Sequence, residues 1–394
     1  MKIALLSDCY LPRLGGIEVQ VHDLAGRLRQ RGHEVAVFTA TPGAHGERGG
    51  RVDEVDGVPV HRLALRLPFE LPVNPFAPPE LRRRLAAGRY DVAHVHTGVV
   101  SPFAVDCTRV ALALALPTVL TWHCMLDRLE PAFAAAGYVR RWAERGVAMN
   151  AVSQVAAAPL QRILGDAGTV TVLPNGIDVA QWAPVGGGPR SRWTGGPGEP
   201  GEDGETAPVR VVSAMRLAAR KRPLALLRTM LAVRRALPER VGLRLLVLGD
   251  GPGRRRMERF VAAHDMAGWV SLPGRVSRAE LHSAYLASDV YVAPARLESF
   301  GIAALEARTA GLPVVGRTGS GVGEFVREGV NGLLAADDAE MARCLTRLVT
   351  DAGLREAMAT VNRSEPPAQS WDLVVRRAEG EYARACANAP AVGR

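Results

Sequence analysis

The chain has 394 residues, 47% of them hydrophobic, with a formal net charge of +9 and a pI near 9.8. That length predicts two domains, each large enough for its own core. The basic balance admits nucleic acid, membrane headgroups or phosphorylated ligands, but no aromatic-basic RNA motif or zinc-finger spacing supports nucleic acid. Lys2 and Lys221 are the only lysines, and the other basic residues are arginines, in excess mostly in the second half. Cys9, Cys107, Cys124, Cys344 and Cys386 show no paired spacing, which predicts free buried thiols in a reducing compartment. The first eight residues are too short for a signal-peptide core and read as a strand. No uninterrupted apolar run of about 20 residues is present to span a membrane, so a cytoplasmic protein is expected.

Lys2–Ser7 is short, apolar and unbroken, as a parallel-sheet strand is. Leu14-Gly15-Gly16-Ile17-Glu18 follows, then a helical pattern to Arg31 and a second strand, Glu34–Thr39. This is a βαβ opening. A spaced Gly-x-Gly-x-x-Gly is absent, so it is not the dinucleotide fingerprint, and Gly15-Gly16 also reads as a simple tight turn. Residues 52–61 predict a hairpin. The apolar stretch 68–73 is followed by Arg82-Arg83-Arg84, which suits either a solvated helix face or contact with anionic lipid headgroups. In the strand Asp91–His96, His94 and His96 share one face. A metal pair there lacks an evident third ligand, so structural or cleft-edge histidines are preferred. Pro117–His123 is another strand, with His123 at its C-terminal end, where open α/β sheets bind ligands. Val147–Ser153 closes a further strand, with Ser153 as a helix cap, and Asn175-Gly176 is turn chemistry.

Residues 185–208, dense in Gly, Pro and charge, read as a flexible insertion near a domain boundary. Val209–Met215 opens the second domain as a strand, and Arg216 and Lys221 follow it. Two cations at a strand end suit the neutralisation of a departing diphosphate without a metal, and no Asp-x-Asp triplet is present to hold one. Gly249–Gly253 imitates a nucleotide fingerprint, but Pro252 and Arg254 spoil the spacing and a turn is expected. Val270–Val276 leads to Ser277, a helix cap.

Asp289–Pro294 reads as a buried strand with a proline stop, and Ala303–Ala310 as a helix closed by Gly311 and Pro313. Glu298 then falls on a loop and Glu306 two turns into the helix, about 12 Å away if the rise is helical throughout. The leading amides, placed at Phe300, Gly301 and Ile302, form an anion site, and Gly301 permits close approach. Carboxylate, anion site and carboxylate suit a sugar hydroxyl, a diphosphate and a ribose. Gly319–Gly323 is a second glycine loop, and Trp371–Ala385 an amphipathic helix.

The stretch Pro294–Val315 resembles the donor-site signature of glycosyltransferase family 4, which are retaining enzymes of the GT-B fold. Arg216-Leu-x-x-x-Lys221 is similar to that family's cationic segment, with Met215 where a glycine is common. The resemblance covers nearly the whole chain outside residues 185–208 and the last few. It implies an α/β GT-B fold: two Rossmann-like domains with parallel sheets facing a central cleft. Residues 1–180 would be the acceptor side, 209–365 the donor domain, and helix 371–388 would cross back onto the first domain. His123, Glu298, Arg216 and Lys221 would be catalytic. Gly15 and Gly16 would lie on the diphosphate side, Arg275 and Val276 near the base, and Ser299, Phe300, Gly301, Ile302 and Glu306 along the donor. Gly15-Gly16-Ile17-Glu18, His94-x-His96 and Thr121-Trp122-His123 look similar to bacterial lipid glycosyltransferases and to the catalytic component of phosphatidylinositol N-acetylglucosaminyltransferase.

The implied activity is retaining transfer of a hexose or N-acetylhexosamine from a nucleotide-sugar, UDP-linked in preference to GDP-linked. The acceptor would be a lipid, glycan or small molecule, with no metal or other cofactor and with peripheral contact to an anionic inner membrane face when the acceptor is a lipid. A non-hydrolysing nucleotide-sugar epimerase of the same architecture is the alternative. A catalytically silent protein that only binds a sugar-nucleotide is a third reading, against which Glu298, Glu306, Arg216 and Lys221 together argue.

Overall fold

The computed structural model describes residues 1–13, 15–65, 72–184 and 207–389. Leu14, nearly all of the 185–208 insertion and residues 68–71 of the apolar stretch lie outside the described residues. Internal contacts divide the chain into two units, Met1–Gly176 with Gln369–Arg394, and Ile177–Ala368.

The first unit begins β1 (Lys2–Ser7), α1 (Gly16–Gln30), β2 (Glu34–Thr39), β3 (Arg51–Val55), β4 (Val58–Arg62) and α2 (Ala77–Gly88). It continues through β5 (Val92–Thr97), α3 (Pro102–Ala113), β6 (Thr118–Trp122), α4 (Glu130–Ala136), α5 (Tyr138–Glu144), β7 (Ala148–Ala151), α6 (Gln154–Leu164) and β8 (Thr171–Val172). The sheet order is β3-β4-β2-β1-β5-β6-β7-β8. Every pairing is parallel except β3 with β4. That hairpin turns through Asp56 and Gly57, both at positive φ (49° and 78°), the two-residue geometry that matches strand twist. The central strands are apolar on successive residues because both faces are covered: Ala4 and Leu6 enter one core, Ile3 and Leu5 the other.

The second unit holds α7 (Val179–Trp182), β9 (Val209–Ala214), α8 (Pro223–Ala236), β10 (Leu243–Leu248), α9 (Arg254–Ala263), β11 (Val270–Gly274) and α10 (Arg278–Leu286). After these come β12 (Val290–Val292), α11 (Ile302–Thr309), β13 (Val314–Arg317), β14 (Gly332–Ala335), α12 (Asp338–Thr350) and α13 (Ala352–Ser364). Its parallel sheet runs β11-β10-β9-β12-β13-β14. The strand order reverses between β9 and β12, so the loops leaving those two strands diverge there. In open α/β sheets this is where ligands bind.

The last helix, α14 (Trp371–Asn388), belongs to the first unit. Trp371, Val374, Val375, Ala378, Tyr382 and Ala385 share a core with Ile3, Leu5, Val92, Val119 and Ala148. Burying the valines, leucine and isoleucine among these contributes about 1.5–3 kcal/mol each. All five cysteines are free, but only Cys107 is buried and Cys386 is exposed. The expectation of buried thiols therefore holds for one of them.

Candidate active site

In the second unit, β9 delivers Met215 and Arg216 at the reversal point. Arg216 is exposed. The chain then turns tightly through Ala219–Lys221 and begins α8 after Arg222, which sits at φ 59°. Gly249–Gly253 is a turn, as expected, and also braces this segment. Leu217 N–H donates to Asp250 O at 2.9 Å, and Gly253 N–H donates to Leu217 O at 2.7 Å. A Cβ at Gly249 would stand 2.0 Å from the Met215 carbonyl oxygen, and φ there is 118°. The glycines admit the backbone that carries Arg216.

β12 delivers Glu298 beside that segment. The Lys221 ammonium donates to Glu298 Oε2, with the two side chains 23% and 16% exposed. The second glycine loop holds Glu298 from the other side: Gly321 N–H donates to Glu298 O at 2.7 Å. A Cβ at Gly321 would meet Ser299 O at 2.2 Å and Phe300 Cα at 2.5 Å. Phe300 is buried and tilts against Phe325, while Ser299 is half-buried.

The helix after Glu298 starts at Ile302, close to the helical stretch expected from Ala303 but later than the amides assigned to its N-terminus imply. Gly301 is its N-cap, at φ 92°, and Ile302 its first residue. Ala304 and Leu305 N–H both return to Gly301 O at 3.0 Å. The leading helical amides are therefore those of Ile302 and Ala303, rather than Phe300, Gly301 and Ile302. Glu306 is the fifth helical residue, little more than one turn in, so the twelve-ångström helical span is not formed. Glu306 is 8% exposed. Arg275 is exposed and Val276 half-buried just after β11, before a capping box of Ser277 and Glu280.

One cluster escaped the sequence reading. Asp338 accepts two bonds from Arg222, both at 2.7 Å, and one from the buried Arg317 at 2.6 Å. The bonds from Arg222 are the main reason its carboxyl is held below the usual range. The cluster pins Arg222, and so the residue after Lys221. No spacing signals it, because its members come from three distant segments.

In the first unit, His123 follows β6 directly, its N–H donating to Thr97 O at 2.9 Å. It is 8% exposed. Burial pulls its imidazole down to about 4, so it is neutral at physiological pH. Its Nε2 lies 3.0 Å from His96 Nδ1. His94 lies 3.0 Å from the Tyr382 hydroxyl through Nδ1 and 2.7 Å from Thr121 Oγ1 through Nε2. His94 and His96 do share a face, as expected, and it is the face that α14 covers. Among the described residues no group of three His, Cys, Asp or Glu is placed to hold a metal.

Gly15 caps α1 in extended conformation (φ −170°) and Gly16 is its first residue, so neither forms a tight turn. The buried Glu18 crowds Gly15 and pairs with Arg13 at 3.3 Å. Asp8, which the sequence did not single out, leaves β1 and accepts the N–H of Phe103 at 3.0 Å and of Ala104 at 3.4 Å, capping α3. Of the basic run beside the apolar stretch, Arg83 and Arg84 are tied to Glu80. A cavity of about 740 Å³ lined by Leu116, Gly146 and Ala385 lies by the N-terminal ends of β6 and β7, away from His123.

Two parallel-sheet α/β units of this topology make a GT-B fold. Residues 14–181 match the family described as Glycosyltransferase Family 4, and residues 203–365 match Glycosyl transferases group 1. The chain belongs to glycosyltransferase family 4. It is 30% identical to a D-inositol 3-phosphate glycosyltransferase of Kineococcus radiotolerans, covering 94% of this chain and 91% of the relative. It is 28% identical to a phosphatidyl-myo-inositol mannosyltransferase of Mycolicibacterium smegmatis (95% and 91% covered). Arabidopsis thaliana has a phosphatidylinositol N-acetylglucosaminyltransferase component that is 25% identical (98% and 83%). Similar solved folds include sucrose-phosphate synthase from Thermosynechococcus elongatus, with a TM-score of 0.74, 19% identity and coverage of 98% and 99%. Another is Anabaena HepE in complex with UDP and glucose, with a TM-score of 0.72, 18% identity and coverage of 97% and 99%. None of these relatives is an epimerase.

Proposed function

We propose that the chain is a retaining glycosyltransferase that moves a hexosyl or N-acetylhexosaminyl group from a nucleotide-sugar to an acceptor bearing an inositol phosphate, free or lipid-linked. The observation that carries this reading is the meeting of Lys221 and Glu298 where the strand order of the second unit reverses. One cation and one carboxylate side by side can serve, respectively, a departing diphosphate and the hydroxyls of its sugar. Arg216 supplies a second cation at the same strand end, and the two make a divalent ion unnecessary. The amides of Ile302 and Ala303 face the phosphates, and Glu306 takes the ribose. The relatives named for D-inositol 3-phosphate and phosphatidylinositol support the acceptor. HepE, solved with UDP, supports UDP over GDP in the donor.

In the reaction, the bond from the anomeric carbon to the diphosphate oxygen breaks and its electron pair leaves with the diphosphate. The acceptor oxygen bonds to the same face of that carbon, and its proton passes to the leaving phosphate oxygen. Glu298, beside a helix N-terminus and bonded to Lys221, holds hydroxyls rather than attacking. His123, neutral, borders the sugar. With a lipid acceptor, the exposed Phe76 and Arg82 on and before α2 are the proposed contact with anionic headgroups at a cytoplasmic membrane face.

The test offers UDP-glucose, UDP-N-acetylglucosamine and GDP-mannose in turn, each with an inositol monophosphate and with phosphatidylinositol vesicles. Mass spectrometry detects the product and NMR its anomer. Transfer to neither acceptor overturns the acceptor class, and a β-linked product from an α-linked donor overturns retention. A glycosylated Glu298 peptide under turnover overturns the same-face mechanism alone.

A further inference from the structure

A row of polar side chains crosses the sheet of the first unit beneath α14. Register pairs His96 with Thr121 and Thr121 with Asn150 across β5, β6 and β7, so the three point to one face. Two residues beyond Thr121, just past the end of β6, comes His123. The row is buried: His94, His96, Thr121 and Asn150 are each 4% exposed or less. His94 is fixed by bonds at both ring nitrogens, to Tyr382 and to Thr121. Its ring lies against that of His96, with centroids 4.1 Å apart. His96 therefore has little freedom to rotate, and its Nδ1 stands 3.0 Å from His123 Nε2.

Neutral imidazoles carry one N–H and one lone pair each. Burial lowers the pKa of all three rings, so each is neutral. In the His96–His123 contact one ring donates and the other accepts. The other nitrogen of His96, Nε2, is buried and has no partner among the described residues. If His96 carried its proton on Nε2, a buried donor would be stranded. If it carries the proton on Nδ1, only a lone pair goes unmet, which folded proteins tolerate more readily. His96 Nδ1–H is thus the donor and His123 Nε2 the acceptor, which leaves the His123 proton on Nδ1.

We propose that His96 is a positioning residue that fixes His123 in the Nδ1–H tautomer, so that His123 presents a hydrogen-bond donor from Nδ1 and cannot present one from Nε2. An isolated histidine side chain prefers the opposite tautomer, so the choice is imposed by the sheet. Its bearing on turnover rests on the reading above that His123 borders the reacting sugar; the tautomer itself does not.

The test reads the tautomer directly. In ¹⁵N-labelled full-length protein, long-range ¹⁵N–¹H correlation of the imidazoles, with His123 assigned by comparison with His123→Ala, is expected to show a protonated Nδ1 and a bare Nε2. His96→Leu removes the donor and is expected to return His123 to Nε2–H, with kcat down tenfold or more and KM changed less than threefold. His96→Asn can place an amide N–H near the position of Nδ1, and is expected to restore both the tautomer and most of the turnover. A wild-type His123 protonated on Nε2 overturns the proposal even if neither variant folds. A folded His96→Leu protein whose His123 keeps Nδ1–H overturns it too. A switched tautomer with unchanged kcat leaves the positioning intact and instead overturns the placement of His123 at the sugar.

Discussion

The ammonium of Lys221 is bonded to the carboxylate of Glu298 across 77 residues of sequence, both side chains mostly buried in the second unit. Removing either partner strips the other of its counter-charge, so the two do not act independently. Lys221→Ala is expected to lose roughly 10²–10³-fold in turnover, the scale of losing one transition-state donor. Glu298→Gln weakens use of the donor sugar. The double variant should lose much less than the product of the two single losses. Steady-state kinetics of the four proteins checks this, and multiplicative losses would separate the two roles.

Arg216 gives a contrasting outcome because it is exposed. Arg216→Ala should leave unfolding free energy within about 0.5 kcal/mol of wild type while turnover falls roughly 10²–10³-fold. Denaturant unfolding and kinetics on the same preparation decide it. Near-normal turnover would remove Arg216 from the diphosphate.

Gly321 is irreplaceable for a different reason. A Cβ there would meet backbone atoms of Ser299 and Phe300, which cannot swing aside as a side chain does. Gly321→Ala should cost about 1–3 kcal/mol through forced backbone shifts and move Glu298 with them. The expected readout is a lower melting temperature together with a smaller thermal shift on adding UDP-sugar. A wild-type donor response would show that the loop does not position Glu298.

Asp8 supplies a pH signature. Burial raises its carboxyl to about 6 from 3.8, against bonds from Ser101, Ala104 and Phe103 that lower it. A raised folded pKa means stability that is present below the unfolded value and lost as pH climbs through the folded one. Asp8→Asn carries no charge to lose. The stability of Asp8→Asn minus that of wild type should therefore rise by about 3 kcal/mol between pH 3.5 and pH 7.5. Urea unfolding across that range measures it, and a pH-independent difference would show that the burial does not act.

Much of this architecture is legible in the chain because buried parallel strands announce themselves as short, mainly apolar runs: Lys2–Ser7 and Leu243–Leu248 do so, the latter around Arg244. The capping residues Ser153 and Ser277 are equally plain, since each acts on a backbone amide three residues ahead. What stays hidden is contact across the sheet. His96 meets His123 only because β5 and β6 are neighbours in one register, and Asp338 meets Arg222 from 116 residues away. The start of α11 is hidden for a different reason. Gly301, at positive φ, separates the loop from the helix, and helical propensity alone does not locate such a residue.

The placement of α14 has a consequence for how the protein is made. The face of the first sheet formed by Ile3, Leu5, Val92, Val119 and Ala148 is complete by residue 172, but only part of its cover, α1, is made by then; the rest is residues 371–388. All of the second unit must emerge from the ribosome between those two events. At about 5–20 residues per second the newly synthesised chain carries that apolar face with α1 on it but without α14 for roughly 10–40 s. The first unit is therefore begun first and finished last, and nascent-chain chaperones meet a partly open hydrophobic surface for about half of translation.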